Sequence, residues 1–171
     1  ERDLAGDADA NYCTVINYRA EDFVPVMACP SNVDNVKPVS ELAGREIDQV
    51  FIGSCTNGRL EDLMAAADVL KGKHVAPFVK LIVTPASRKI YREAAANGTM
   101  AVLAEAGAII THPSCGLCCG RTGGILTDGE TVIATNNRNF LGRMGTSKVN
   151  IYLASPRSAA ACAIAGKIVS P

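Results

Sequence analysis

The stretch that decides the fold reads QVFIGSCTNGRLEDLMAAADVL and spans residues 49–70. Its first four residues form a mostly apolar run between Asp48 and Gly53, which predicts a short buried strand. Polar residues follow at 54–58, and apolar side chains then recur at helical spacing, at Leu60, Leu63, Met64, Ala67 and Leu70. The stretch therefore predicts a strand, a polar turn and a helix.

The same alternation continues along the chain. Strand-like runs at 78–83, 108–111, 131–134 and 150–153 are separated by helical patterns or polar connections. We place helix starts at Thr84-Pro85 and Ser155-Pro156, because a hydroxyl cap followed by proline favours a first helical turn. Together these elements predict an α/β fold, a three-layer domain with a mostly parallel sheet flanked by helices. Ligands of such sheets bind at the carboxyl ends of the strands.

The first 44 residues lack this alternation of strand-like and helical patterns. They contain one strand-like run, at 12–17, and several prolines between residues 25 and 38, which predict an irregular connecting segment. We therefore divide the chain into this segment, residues 1–44, and an α/β domain, residues 45–171. The opening Glu1-Arg2-Asp3 without a Met leads us to expect a fragment of a longer chain.

Composition excludes several classes of protein. The chain carries 17 Lys plus Arg and 17 Asp plus Glu, so its net charge gives no attraction to nucleic acid or anionic lipid. Its apolar runs are much shorter than the roughly 18 residues that a membrane helix needs. Seven cysteines, an odd number without a secretory leader, predict reduced thiols in a cytoplasmic protein.

Four of the cysteines follow predicted strands. Cys55 comes directly after the strand at 49–52, and Cys115, Cys118 and Cys119 follow the strand at 108–111. Because parallel strands end at one edge of a sheet, three sulfurs from these two connections can meet at a metal site. The pair at 115 and 118 also fits a redox dithiol or a zinc half-site. Cys119 competes with Cys118 for the third ligand position.

The remaining cysteines and the two histidines favour structural or solvent-exposed roles. We predict that Cys13, Cys29 and Cys162 are structural, since a buried cysteine usually acts as a small hydrophobic residue. His74 is predicted to be solvated. His112, close to the cysteine pair, is predicted to pack against neighbours rather than to bind a metal.

A polar cluster, NNRNFLGR at 136–143, follows the strand at 131–134. Its guanidiniums, Arg138 and Arg143, can hold carboxylates through paired N–H donors or can be solvated surface groups. The density of Asn and Arg in one loop favours binding. The glycine-rich run at 120–124 lacks the Lys and Ser/Thr of a phosphate loop, so nucleotide binding is not predicted.

Three motifs in order, GSCTN at 53–57, CGLC at 115–118 and NRNFLGR at 137–143, together resemble the aconitase superfamily. More narrowly, nearly the whole chain is similar to the C-terminal part of the large subunit in the isopropylmalate dehydratase family or a near relative, homoaconitase or 2,3-dimethylmalate dehydratase.

The resemblance implies a 4Fe-4S cluster held by Cys55, Cys115 and Cys118, with one iron that has no protein ligand. It implies a hydro-lyase that isomerises a small hydroxy diacid by dehydration and rehydration, in leucine biosynthesis for the isopropylmalate branch. By the same resemblance Arg138 and Arg143 hold a substrate carboxylate, and Asn137 lies against the cluster.

The resemblance also implies missing parts. Family members carry catalytic His and Asp residues in more N-terminal domains, and their base serine lies on a swivelling domain that is a separate small subunit in the dehydratases. We therefore expect no turnover from these residues alone. Two other classes compete: a zinc-binding or structural module with a water or His112 as fourth ligand, and a thiol-disulfide oxidoreductase that uses Cys115 and Cys118.

Overall fold

A seven-stranded sheet is the centre of the fold. The computed structural model describes residues 6–171, and its strands are β1 (Val26–Ala28), β2 (Val36–Pro38), β3 (Gln49–Gly53), β4 (Lys80–Thr84), β5 (Ile109–Ile110), β6 (Thr131–Ala134) and β7 (Asn150–Leu153). They lie in the order β2-β1-β7-β6-β3-β4-β5. Strands β3 to β7 are parallel, and the hairpin of β1 and β2 joins β7 antiparallel. The predicted α/β fold with a mostly parallel sheet is confirmed.

Six α-helices are formed within the described residues: α1 (Val39–Leu42), α2 (Ser54–Asn57), α3 (Leu60–Leu70), α4 (Arg88–Ala96), α5 (Thr99–Glu105) and α6 (Pro156–Ala165). The predicted start of α6 is confirmed, because the Ser155 hydroxyl accepts a hydrogen bond from the Ser158 backbone N–H at 3.2 Å. The predicted start at Thr84-Pro85 is wrong. Ser87 caps α4 instead, whereas the Thr84 hydroxyl pairs with the hydroxyl of Thr111 at 2.6 Å.

The two faces of the sheet are covered by different material. On one face, which we call the helical face, Val50 and Ile52 pack with side chains of α1, α3, α4, α5 and α6. The alternating residue Phe51 points to the other face, which we call the loop face. Two long connections, residues 111–130 and 135–149, cover the loop face and bury four apolar side chains, Leu117, Leu126, Met144 and Val149.

The N-terminal segment differs from its prediction. The predicted strand at 12–17 is wrong: that run is irregular, and Val15 is 71% exposed because no described strand pairs with it. Cys13 is exposed as well, so the prediction that it is a buried structural residue is wrong. The proline-containing stretch, in contrast, forms β1, β2 and α1. Pro38 ends β2, an edge strand, where a missing N–H costs no ladder hydrogen bond.

The predictions for the burial of two other cysteines and the exposure of His74 are confirmed. Cys29 and Cys162 are buried, and His74 is exposed. None of the described helices is long and apolar enough to cross a membrane. The opening residues 1–3, which prompted the expectation of a fragment, lie outside the described residues.

Candidate functional site at the carboxyl edge of the sheet

Strand order places a switch point at the centre of the sheet. The chain passes from β3 to β4 on one side and later returns to β6 on the other side of β3. At such a reversal the connections that follow the two neighbouring strands diverge and leave a crevice, where ligands of α/β sheets bind. The connection after β3 carries Cys55, and the connection after β6 carries the Asn and Arg cluster.

A strained turn follows β3. Gly53 has a φ of 136° and Ser54 has a φ of 62°, and residues other than glycine rarely adopt a positive φ. A Cβ at Gly53 would overlap the carbonyl oxygen of Thr84, so only glycine fits. The turn puts Cys55 on the short helix α2, where it is exposed beside a groove of about 500 Å³ between the starts of α3 and α4.

Hydrogen bonds tie the carboxyl ends of four strands together. The Gly53 backbone N–H donates to the Thr135 hydroxyl at 2.9 Å, and the Asn57 side-chain amide donates to the Thr135 carbonyl. On the other side of β3, the Thr84 and Thr111 hydroxyls pair at 2.6 Å. The loops after β3, β4, β5 and β6 are therefore held at one edge, as the sequence predicts for a parallel sheet.

The second cysteine group lies on a 3-10 helix, Gly116–Cys119. Cys115 is exposed just before it, whereas Cys118 is buried and packs in the loop-face core with Phe51 and Ile82. The Cys119 thiol is partly buried and donates to the Gly116 carbonyl of its own helix at 3.5 Å. Of the two adjacent cysteines, it is therefore Cys118 that lies over β3 and β4.

Arg143 reaches Cys118 from the connection after β6. Its Nη2 lies 3.7 Å from the Cys118 sulfur, and its guanidinium carbon lies 5.4 Å from the centroid of the Phe140 ring. Its Nε is buried without a hydrogen-bond partner. The structure thus brings together a predicted metal ligand and a predicted carboxylate-binding residue, and it places a positive charge against the sulfur.

The other predicted residues of this loop point elsewhere. Arg138 is exposed, and its Nη1 donates to the carbonyl of Asn137 at 2.6 Å. Asn137 is exposed too. His112 is exposed and stacks on Tyr91, with ring centroids 6.0 Å apart, in agreement with the predicted packing role.

Sequence reasoning did not single out two buried asparagines in the same connection. Asn139 donates to the carbonyl of Cys29 at 2.7 Å and so ties the loop to the β1–β2 hairpin. Asn136 lies against Met144, and its Oδ1 has no partner. The Asn-rich composition marked the loop, but no spacing rule distinguishes the buried asparagines from the exposed Asn137.

The donor set has the residue types that an iron-sulfur cluster requires. Three thiols lie on two connections at one sheet edge, and unpaired buried polar atoms of Ser54, Asn136 and Arg143 belong to the same edge. Within residues 6–171 no group of three or more His, Cys, Asp or Glu side chains is close enough to hold a single metal ion. A cluster makes a different demand, because each thiolate binds its own iron and the sulfurs lie farther apart. The geometry of residues 6–171 therefore favours neither a zinc site nor a cluster, and the choice between them belongs to the proposed function.

Comparison with known proteins decides the family. Residues 36–166 match the model of the aconitase family (aconitate hydratase). The chain belongs to the aconitase family. Within this family it is 54% identical to the 3-isopropylmalate dehydratase large subunit of Sulfurihydrogenibium sp. (strain YO3AOP1) over 96% of the chain and 38% of that relative. It is 52% identical to the homoaconitase large subunit of Thermus thermophilus over 98% of the chain and 40% of that relative.

A third relative shows a similar degree of identity. The 3-isopropylmalate dehydratase large subunit 2 of Archaeoglobus fulgidus is 50% identical over 99% of the chain and 41% of that relative. The aconitase-family chain thus spans about two fifths of the length of these curated relatives. The resemblance inferred from the three sequence motifs is confirmed at the level of the family and of its large subunits.

Proposed function

We propose that this chain is the cluster-binding part of the large subunit of a 4Fe-4S hydro-lyase, with Cys55, Cys115 and Cys118 as the cluster ligands. The observation that carries the proposal is the contact of Arg143 with the Cys118 sulfur at 3.7 Å, at the edge where the Cys55 turn also ends. This contact joins a thiol and a guanidinium, the two kinds of group that cluster binding and carboxylate binding require.

A cluster held by three thiolates supplies one iron without a protein ligand, which acts as a Lewis acid on a hydroxyl group. The residues of this chain provide binding around it. Arg143 holds a substrate carboxylate through its guanidinium, and it is already anchored over the Phe140 ring. Arg138 would provide a second guanidinium after its hydrogen bond to the Asn137 carbonyl breaks, and Asn137 would contact the bound cluster.

The reaction we propose is the isomerisation of a small hydroxy diacid by dehydration and rehydration. Relatives named 3-isopropylmalate dehydratase support 3-isopropylmalate as the first candidate substrate, with a role in leucine biosynthesis. Homoaconitase is the second candidate, because homoaconitase large subunits are nearly as similar, at 52% and 53% identity. 2,3-dimethylmalate dehydratase is a third.

The proposed enzyme needs partners. The relatives are named large subunits, which supports a small subunit that supplies the swivelling domain. The chain spans about two fifths of the length of these relatives, so most of a large subunit lies outside it. We therefore propose that this chain by itself binds a cluster and catalyses no turnover.

Anaerobic reconstitution of the 171-residue chain with iron and sulfide tests cluster binding. We expect a brown protein with about four irons per chain, and loss of colour and iron in Cys55→Ser, Cys115→Ser and Cys118→Ser. Cys119→Ser and Cys13→Ser are matched controls that keep the colour. Uptake of zinc alone, or full iron content in Cys55→Ser, contradicts the proposal.

The substrate is tested with a longer large subunit that contains this segment, combined with its small subunit. We expect turnover of 3-isopropylmalate to exceed turnover of homoaconitate, and no turnover of either by the 171 residues alone. Faster turnover of homoaconitate selects the second candidate. Turnover by the isolated chain contradicts the proposed need for the other parts.

A further inference from the structure

A second cavity lies away from the cysteines, and we call it the basic cavity. It has a volume of about 310 Å³, and its wall includes Lys37, Arg45, Asn150 and Tyr152. No carboxylate is among its lining residues. At about 310 Å³ it lies at the lower end of the range of ligand pockets, roughly 300–1,000 Å³, so it has room for a small ion together with water.

Two cations share this small space. Lys37 comes from β2, and Arg45 comes from the connection between α1 and β3. Neither forms an ion pair with any residue in the described range 6–171. Like charges that line one concave surface repel each other and raise the local potential for an anion. The arrangement therefore favours a negatively charged occupant.

A buried tyrosine gives the cavity a fixed polar wall. Tyr152 is only 6% exposed, and its hydroxyl accepts a hydrogen bond from Arg45 Nη1 at 3.3 Å. Because the hydroxyl is the acceptor in that bond, its own hydrogen is free to donate, and no acceptor for it lies within the described part of the chain. The same bond orients the Arg45 guanidinium, which keeps its other N–H groups for a ligand.

The basic cavity lies on the other face of the sheet from Cys118, and Asn139 of the connection after β6 hydrogen-bonds with only one of its wall residues, Cys29. Tyr152 and the cavity residue Leu42 pack in the core of the helical face, whereas Cys118 packs in the core of the loop face. The sheet itself separates the two. We infer that the basic cavity binds a small oxyanion, of the size and charge of inorganic phosphate, through Lys37, Arg45 and the Tyr152 hydroxyl.

Isothermal titration of the 171-residue chain with inorganic phosphate, at constant ionic strength in a phosphate-free buffer, tests this inference. We expect saturable binding of one phosphate per chain and a loss of affinity of about tenfold or more in Arg45→Gln, since a charge-assisted donor is removed. Tyr152→Phe is expected to lose about threefold. Lys73→Gln, which removes the same charge from an exposed site outside the cavity, is the matched control and keeps the affinity of the unmodified chain.

Amide chemical shifts locate the ion in the same titration. Shifts at residues 37, 45 and 152 that saturate with the calorimetric curve support the basic cavity. Absence of saturable binding, or equal losses in Arg45→Gln and Lys73→Gln, overturns the inference, because the second result assigns binding to net charge. Neither outcome bears on cluster uptake, which Cys55→Ser tests separately.

Discussion

The helical face and the loop face of the sheet differ in how completely their buried polar atoms are paired. The helical face buries mostly apolar side chains against five helices. All five buried polar atoms that have no hydrogen-bond partner in residues 6–171 belong to the loop face or its carboxyl edge, in Gln49, Ser54, Asn136, Asn139 and Arg143. Unpaired buried groups cost stability, and proteins keep them where function needs them. The unpaired buried groups are therefore concentrated on the face and edge where we propose the cluster site.

The largest effect is expected at the edge where the two faces meet. Gly53→Ala forces a Cβ into the Thr84 carbonyl and strains a residue at φ 136°, so we expect unfolding free energy to fall by more than about 4 kcal/mol. Gly72→Ala is the control: its φ of 69° is also positive, but nothing lies within 4 Å of the new Cβ. We expect it to cost about 1–2 kcal/mol. Urea unfolding measures both, and equal losses contradict the importance of the close approach to Thr84.

Two fully buried leucines compare the faces directly. Leu63 packs on the helical face and Leu126 on the loop face. We expect Leu63→Ala to lower unfolding free energy by about 3 kcal/mol, because regular helices cannot collapse into the cavity. Leu126→Ala should cost about 2 kcal/mol, since an irregular connection relaxes more easily. If urea unfolding shows that Leu126→Ala lowers the free energy of unfolding more than Leu63→Ala does, the expected difference between the two faces is wrong.

The sequence predicts the helical face well. Apolar runs such as 131–134 and the helical spacing in 60–70 follow local patterns, and both match β6 and α3 within a residue. The hairpin of β1 and β2 was not predictable by the same rules, because each strand has three residues and Pro38 normally argues against a strand. Its stability comes from pairing with β7, a contact between residues more than a hundred positions apart.

The candidate site was predictable in its chemistry and not in its geometry. Strand and loop patterns placed Cys55, Cys115, Cys118 and Cys119 at one sheet edge, and the family resemblance, not spacing, selected Cys118 over Cys119 as a predicted ligand. Burial of Cys118 against Phe51, and the reach of Arg143 to its sulfur, depend on how two irregular connections pack over the loop face. Hydrophobic periodicity contains no information about such connections, so the sequence could not separate Arg143 from the exposed Arg138.

Thiol reactivity gives a third comparison. Burial in α6 raises the pKa of the Cys162 thiol, so at pH 8 it stays protonated, and the thiol form is the unreactive one. Cys55 and Cys115 are exposed. We expect iodoacetamide to modify Cys162 at least about tenfold more slowly than Cys55 in the folded chain, and at the same rate in urea. Mass spectrometry of the peptides measures both rates, and fast native labelling of Cys162 would show that the helical face opens locally.

The smallest effect compares two serines that follow parallel strands. Ser155 after β7 caps α6 by accepting a hydrogen bond from the Ser158 N–H, so Ser155→Ala should lower the free energy of unfolding by about 1 kcal/mol.

Ser54 after β3 is buried, its hydroxyl has no partner, and its φ is 62°. Ser54→Ala removes an unpaired polar atom and should be neutral or slightly stabilising. Ser54→Gly also removes the strain of a positive φ, so it should raise the free energy of unfolding by about 1 kcal/mol. If urea unfolding shows that Ser155→Ala lowers the free energy of unfolding whereas Ser54→Ala raises it, then Ser155 stabilises the fold and Ser54 does not. A loss of 1 kcal/mol or so in Ser54→Ala would instead indicate that its hydroxyl stabilises the fold.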